Sequence, residues 1–126
     1  MLIRGLVVEG FKQGRLLGYP TANLQLLANI KRPSSGIYAC LVKRADGSKY
    51  LGILISGVHK EKDGQLRLEV YLLNWQGSLY GEILRVQVFN RLRDIIVTKN
   101  QEQLKKIIQS DIKAVEEFFK SARKFF

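Results

Sequence analysis

Residues 67–73, RLEVYLL, alternate between apolar and polar side chains, and this pattern constrains the fold more than any other feature. Leu68 and Val70 fall on one face of an extended chain, while Glu69 and Tyr71 fall on the other. A segment of this kind is a half-buried β-strand. The chain must therefore build a sheet with one face packed on an apolar core.

Four other segments are also rich in β-branched and aromatic residues and are bounded by Gly, Pro, Ser or Asp-Gly; they span residues 2–10, 36–47, 48–58 and 78–93. Asp-Gly pairs at 46–47 and 63–64 suit tight hairpin turns, because glycine tolerates a positive φ. The pattern predicts five or six short antiparallel strands. Since two hairpins alone would leave open edges, we expect the sheet to close into a small barrel.

The C-terminal residues 100–126 change to a helical pattern, with apolar side chains at positions 104, 107, 108, 115, 118, 119 and 122. Asn100 is placed to cap this helix, with Gln103 as its capping-box partner. Basic residues fall in the last turns, where they suit the negative end of the helix dipole. We expect the helix to cover one opening or one face of the barrel.

The length and charge of the chain limit its organisation and its partners. A chain of 126 residues is expected to form a single domain spanning residues 1–126. The formal net charge is +10, and residues 1–60 carry 9 basic against 2 acidic side chains. This excess favours anionic partners such as nucleotide phosphates, nucleic acid or an acidic surface.

The rare residue types exclude several classes of function. Cys40 is the only cysteine, so an intrachain disulfide framework is excluded, and its apolar neighbours predict a buried structural thiol. His59 is the only histidine, which excludes a His-based metal site or triad within the chain. No segment resembles a membrane span or a secretory signal, and we expect a cytoplasmic protein.

The segment GRLLGYPTANL, residues 14–24, contains the most unusual local cluster. Its glycines match neither a Walker loop nor a dinucleotide-binding fingerprint, and ordinary turns would account for them. Pro20 pre-shapes the loop. Thr21 and Asn23, two residues apart on an extended chain, offer oxygen atoms of the kind that Mg²⁺ prefers. An Asx- or ST-turn would use the same two side chains, and the motif alone does not separate the two interpretations.

Glu69 is the one carboxylate in the middle of the strand RLEVYLL. If it faced a cavity of the barrel, it could accept a proton from a substrate hydroxyl. The alternative is a solvated polar face of an ordinary strand.

Taken in order, several blocks of this sequence resemble the riboflavin kinase family. They are GFKQGRLLGYPTANL at 10–24, PSSGIYA at 33–39, LEVYLLNW at 68–75, LYGEILRVQVFNRLRD at 79–94 and QLKKIIQSDIKAV at 103–115. The resemblance covers almost the whole chain, and the Pro-Thr-Ala-Asn block followed by the later blocks is what makes it specific.

The resemblance implies a six-stranded antiparallel Greek-key β-barrel with a C-terminal α-helix. It also implies transfer of the γ-phosphate of ATP to the 5′-hydroxyl of riboflavin, giving FMN, with Mg²⁺ as the cofactor. By similarity, Glu69 would be the base, and Thr21 and Asn23 would hold the metal. Nucleotide-binding residues would be Gly10, Gly14, Arg15, Gly18, Pro20, Thr21 and Asn23, and flavin-binding residues would be Leu92 and Arg93.

This resemblance is to the kinase domain alone, so we expect no FMN adenylyltransferase activity. We also expect no membrane association and, because the basic residues are scattered among acidic ones along the sequence, no nucleic-acid partner. Two alternatives stay open. One is a member of the family that binds flavin or nucleotide without turnover. The other is a basic β-barrel that binds single-stranded nucleic acid, which the charge of +10 and the interleaved aromatic residues would suit.

Overall fold

A computed structural model of the chain describes residues 1–8, 18–27, 29–60 and 66–122. These residues form six strands and one helix. The elements are β1 (Leu2–Val8), β2 (Ala22–Leu26), β3 (Gly36–Lys43), β4 (Lys49–Lys60), β5 (Leu66–Leu72), β6 (Ile83–Arg93) and α1 (Gln101–Ala122).

The six strands close into an antiparallel barrel in the order β1-β2-β5-β4-β3-β6. Strands β3, β4 and β5 follow one another as a meander, and this meander brings β5 beside the earlier strand β2, which is the Greek-key arrangement. Closure pairs β1 with β6, so that no described strand is left as an edge. The six-stranded Greek-key barrel expected from the sequence is confirmed.

The barrel interior is filled by the apolar side of each strand. In β5, for example, Leu68, Val70 and Leu72 all point into this core, as their alternation predicts. The largest side chains that are almost completely buried there are Ile3, Val42, Leu54, Val70, Leu84 and Val86.

A second apolar cluster lies outside the barrel, between its wall and α1. Val115 and Phe119 of the helix are buried against Ile37 and Ala39 of β3 and Ile53 of β4. The expectation that the helix covers one face of the barrel is confirmed. Residues 123–126, which the sequence pattern assigned to the end of the helix, lie outside the described residues.

The start of α1 has the predicted cap in a modified form. The Asn100 Oδ1 atom accepts a hydrogen bond from the Gln103 N–H at 3.0 Å, as expected for an N-cap. The reciprocal half of the capping box is replaced by Thr98, whose Oγ1 accepts from the Asn100 N–H and donates to the Gln103 side chain. The cap therefore includes a residue upstream of the predicted pair.

The β3–β4 hairpin turns at the first Asp-Gly pair. Gly47 has a φ of 89°, which favours glycine, and the Asp46 carboxylate accepts hydrogen bonds from both the N–H and the hydroxyl of Ser48. This hairpin is confirmed. The second Asp-Gly pair, at 63–64, lies outside the described residues.

Gly52 in β4 is a position where the barrel has no room for a side chain. A Cβ atom there would lie 2.9 Å from the backbone oxygen of Tyr71 and 3.0 Å from the Cys40 sulfur. We expect Gly52→Ala to lower the free energy of unfolding by about 1–3 kcal/mol, because a backbone atom must shift to admit the methyl group. Urea unfolding measures this loss. A Gly5→Ala variant, whose Cβ would come no closer than 3.2 Å to any atom, should lose less; an equal loss would contradict the steric explanation.

Cys40 is fully buried and free, which confirms the structural thiol expected from its neighbours, and burial raises its pKa well above the usual value. Within the part of the chain that the structure describes, α1 is not apolar enough over its length to cross a bilayer, and no other helix is present there.

Candidate functional site

Pairing between β2 and β5 brings the three central candidate residues together. Asn23 lies directly opposite Glu69 in the strand register, so both side chains leave the same face of the sheet. Thr21, just before β2, donates a hydrogen bond from its Oγ1 atom to the Glu69 Oε1 atom at 2.9 Å. Thr21 and Asn23 thus lie beside Glu69, which is 46 or more positions later in the sequence.

Glu69 does not face the barrel interior, so the structure excludes the interpretation in which this carboxylate faces a barrel cavity. Its neighbours Leu68 and Val70 occupy the core, so the strand alternation turns Glu69 to the outer wall. There it is only 5% exposed. The candidate site is therefore on the outside of the barrel, on the same face of β5 as Tyr71.

The hydrogen bond between Thr21 and Glu69 fixes the orientation of both groups. Because the Thr21 hydroxyl donates its hydrogen bond to the carboxylate, the lone pairs of its oxygen are turned away from Glu69. A carboxylate and a hydroxyl held in this way, next to an amide on the paired strand, present oxygen ligands of the type that Mg²⁺ accepts. The donor set at this position fits a hard cation.

Among the described residues, no group of three or more His, Cys, Asp or Glu side chains is arranged to hold a metal ion. A cation at this position would take ligands from the Thr21 hydroxyl and the Asn23 amide and complete its shell with water or substrate oxygens. Mg²⁺ is commonly bound by proteins in this incomplete manner, shared with phosphate groups.

The loop before β2 is anchored by an aromatic contact that the sequence did not single out. The Tyr19 ring packs edge-on against the Tyr71 ring of β5, with their centroids 5.9 Å apart, and its hydroxyl accepts a hydrogen bond from Gln109 of α1. Burial raises the pKa of Tyr71, and the neighbouring Tyr19 adds to this effect. The loop is thus held to both the barrel and the helix.

The structure describes only part of the glycine-containing segment before β2. Gly18 is exposed and has a φ of 83°, a conformation that favours glycine, and Pro20 is exposed beside it. Gly10, Gly14 and Arg15 lie outside the described residues.

The two candidate flavin-binding residues lie at the end of β6. Leu92 packs in the cluster beneath α1, and the Arg93 guanidinium forms a bidentate ion pair with Asp111 of the helix, at 2.8 and 2.6 Å. Arg93 also donates to the backbone oxygen of Asp94. The sequence pattern did not single out Asp111, which is 6% exposed. The one signal that could have found it is its position in the block QLKKIIQSDIKAV.

The strand register relates Arg93 to Glu69. Arg93 lies opposite Ile37, Ile37 opposite Ile55, and Ile55 opposite Glu69, all on the outer wall of the barrel. Three strand spacings separate the two ends of this row, which is about 14 Å. The two groups of candidate residues are therefore separated on the outer wall by a row of apolar side chains.

Comparison with known proteins identifies the family. The profile of the flavokinase (riboflavin kinase) family matches residues 1–119. The bifunctional riboflavin kinase/FMN adenylyltransferase of Haemophilus influenzae is 32% identical over 120 residues, which cover 94% of this chain and 39% of that protein. The RNA-binding riboflavin kinase RibR of Bacillus subtilis is also 32% identical, over 94% of this chain and 51% of that protein.

A solved structure has the same fold. The riboflavin kinase of Trypanosoma brucei superimposes with a TM-score of 0.70 at 21% identity, over 97% of this chain and 81% of that one. The chain spans about two fifths of the length of the Haemophilus influenzae relative and about half of the Bacillus subtilis one. With the family profile matched over nearly its whole length and the barrel shared, the chain belongs to the riboflavin kinase family.

Proposed function

We propose that this chain transfers the γ-phosphate of MgATP to the 5′-hydroxyl of riboflavin and releases FMN and ADP. The observation that carries the proposal is the cluster on the outer wall, where the Thr21 hydroxyl is bound to the buried Glu69 carboxylate at 2.9 Å with Asn23 opposite. Family membership supplies the substrate class.

Glu69 is the proposed base. Phosphoryl transfer depends mainly on positioning and on neutralising charge, so the protein needs one group to orient the attacking hydroxyl and accept its proton. A carboxylate on a paired strand is rigidly placed for this task, and the hydrogen bond from Thr21 holds one of its oxygens in a fixed direction.

Thr21 and Asn23 are the proposed protein ligands of Mg²⁺, through their hydroxyl and amide oxygens. When bound, Mg²⁺ would neutralise the charge of the nucleotide phosphates. Gly18 and Pro20, together with Gly10, Gly14 and Arg15, are proposed to line the phosphates, since glycine lets backbone N–H groups approach closely. The basic excess of residues 1–60 would attract the same anions.

Leu92 and Arg93 are proposed to border the flavin. Arg93 would then contribute mainly by holding the end of β6 in place, because its guanidinium already donates hydrogen bonds to Asp111 and to a backbone oxygen. This pair ties the end of β6 to α1 and would give the flavin a fixed wall.

The proposal is tested by incubating the chain with riboflavin and MgATP and separating the flavins by chromatography. We expect FMN to form with ATP and Mg²⁺ present, and not when EDTA removes the metal. If no FMN forms but riboflavin fluorescence is quenched on binding, the alternative of a flavin-binding member without turnover is favoured. If neither occurs, the proposed function is wrong.

Thr21 gives a test of the metal site that keeps the shape of the side chain. Thr21→Val removes the hydroxyl, and we expect the rate at limiting Mg²⁺ to fall roughly 10- to 100-fold, as expected for losing one polar contact to a charged group. Thr21→Ser keeps the hydroxyl and is the matched control. Titration of the rate with Mg²⁺ checks this, and an unchanged Mg²⁺ requirement in Thr21→Val would remove Thr21 from the metal site.

A further inference from the structure

Four basic side chains from four strands lie in one row across the outer wall of the barrel. Arg4 of β1 is directly opposite Arg85 of β6, Arg85 is opposite Lys43 of β3, and Lys43 is opposite Lys49 of β4. All four are exposed. Three strand spacings of about 4.8 Å give this basic row a length of about 14 Å.

Like charges directly opposite one another destabilise a sheet, so the row is unfavourable for folding by itself. In the described parts of the chain, none of its four members forms an ion pair with a carboxylate. Asp46 and Glu82, which lie in adjoining turns, are both engaged by Arg44. Among the described residues, the row is therefore a linear cationic surface whose charge no ion pair offsets, and a bound polyanion would relieve its repulsion.

Exposed apolar side chains flank the row on both sides. Leu2, two residues before Arg4 on the same face of β1, is 57% exposed, and Ile83, two residues before Arg85 on β6, is 48% exposed. The surface thus offers charges along one line and apolar contacts beside it. Single-stranded nucleic acid is complementary to such a surface, because its backbone is anionic and its bases pack on apolar or aromatic groups.

The exposed apolar flanks favour a single strand over a duplex. The bases of a duplex are paired and stacked on one another, whereas those of a single strand have faces free to pack against Leu2 and Ile83. A backbone that lies across the wall needs only cations at intervals, which the row supplies.

The basic row is remote from the candidate active site. Along β4, Lys49 is six residues from Ile55, the residue opposite Glu69, which corresponds to roughly 20 Å. Along β1, Arg4 is four residues from Val8, the residue opposite Asn23, which corresponds to about 13 Å. A ligand on the row would therefore not depend on the residues proposed for phosphoryl transfer.

We infer that the basic row formed by Arg4, Arg85, Lys43 and Lys49 binds the phosphate backbone of single-stranded nucleic acid. This goes against the expectation of no nucleic-acid partner, which rested on the scattering of basic residues along the sequence. Strand pairing brings together residues that are up to 81 positions apart in the sequence.

The test is the affinity of the chain for a fluorescein-labelled 12-mer of oligouridylate, measured by anisotropy between 50 and 200 mM salt. Four phosphate contacts on a single strand predict a slope of about −2.8 when the logarithm of the association constant is plotted against the logarithm of the salt concentration. This slope corresponds to about a 50-fold loss of affinity over this range. The double variant Lys43→Gln/Arg85→Gln should halve the slope, leaving about a 7-fold loss.

The matched control is Lys105→Gln/Lys113→Gln, which removes the same charge from exposed positions of α1. It should keep the slope of the unaltered chain, and FMN formation should be unchanged in both double variants. Equal weakening by the two double variants would overturn the inference, because the binding would then follow net charge. No oligouridylate binding at 50 mM salt, or tighter binding of labelled polyglutamate than of oligouridylate, would overturn it as well.

Discussion

Replacing Glu69 with glutamine should lower the kcat of FMN formation by about 10²- to 10⁴-fold, the usual contribution of a positioned general base. Glutamine has the same size and keeps a side-chain oxygen that can accept the hydrogen bond from Thr21. It cannot take up the proton of the substrate hydroxyl. The loss should therefore appear in kcat, while riboflavin and ATP still bind.

Two controls separate this chemical effect from damage to the fold. Thermal unfolding of Glu69→Gln should show a melting temperature close to that of the unaltered chain. Glu116→Gln makes the same chemical change at an exposed position of α1 and should leave turnover unaltered. Full turnover in Glu69→Gln would exclude Glu69 as the base, even if FMN formation itself were observed.

The second large effect is on stability. Asp111→Asn should lower the free energy of unfolding by about 2–4 kcal/mol, because removal of one charge leaves the Arg93 guanidinium partly buried without its carboxylate. The pair is bidentate at 2.8 and 2.6 Å, and the Asp111 side chain is only 9% exposed. In a domain of this size, that is a large share of the total stability. Urea unfolding followed by circular dichroism measures the loss.

Asp94→Asn is the matched control for this prediction. It breaks the ion pair between Arg91 and Asp94, whose carboxylate side chain is 87% exposed. Such a surface pair contributes about 0–1 kcal/mol, so the control should be nearly neutral. If both variants lost the same stability, the pair between Arg93 and Asp111 would not be the link that secures α1 to the barrel.

Local features of the fold were predictable because they depend on neighbours in the sequence. The period of two in residues 67–73 identified β5, the pair Asp46-Gly47 identified a hairpin, and Asn100 identified the start of the helix. Each of these follows from side-chain alternation, glycine conformation or a cap within a few residues.

The site was only partly predictable. The sequence pointed to Thr21, Asn23 and Glu69 separately, with a turn or a solvated strand as alternatives for each. Contact between them depends on the pairing of β2 with β5, which joins positions 46 residues apart. Glu69 does not face a barrel cavity, because Leu68 and Val70 on the opposite face of the same strand point into the interior.

Two features depended on tertiary structure alone. Arg93 and Asp111 meet because α1 packs over the end of β6, and the basic row exists because barrel closure sets β1, β6, β3 and β4 in one register. The sequence by itself determined five of the six strands, the helix and their apolar faces, since these follow from local periodicity and burial; β2 lies in the segment that contains Thr21 and Asn23 and was not among the predicted strand segments. Which polar side chains became neighbours was decided only when long-range strand pairing set the register, because no local interaction links residues so far apart.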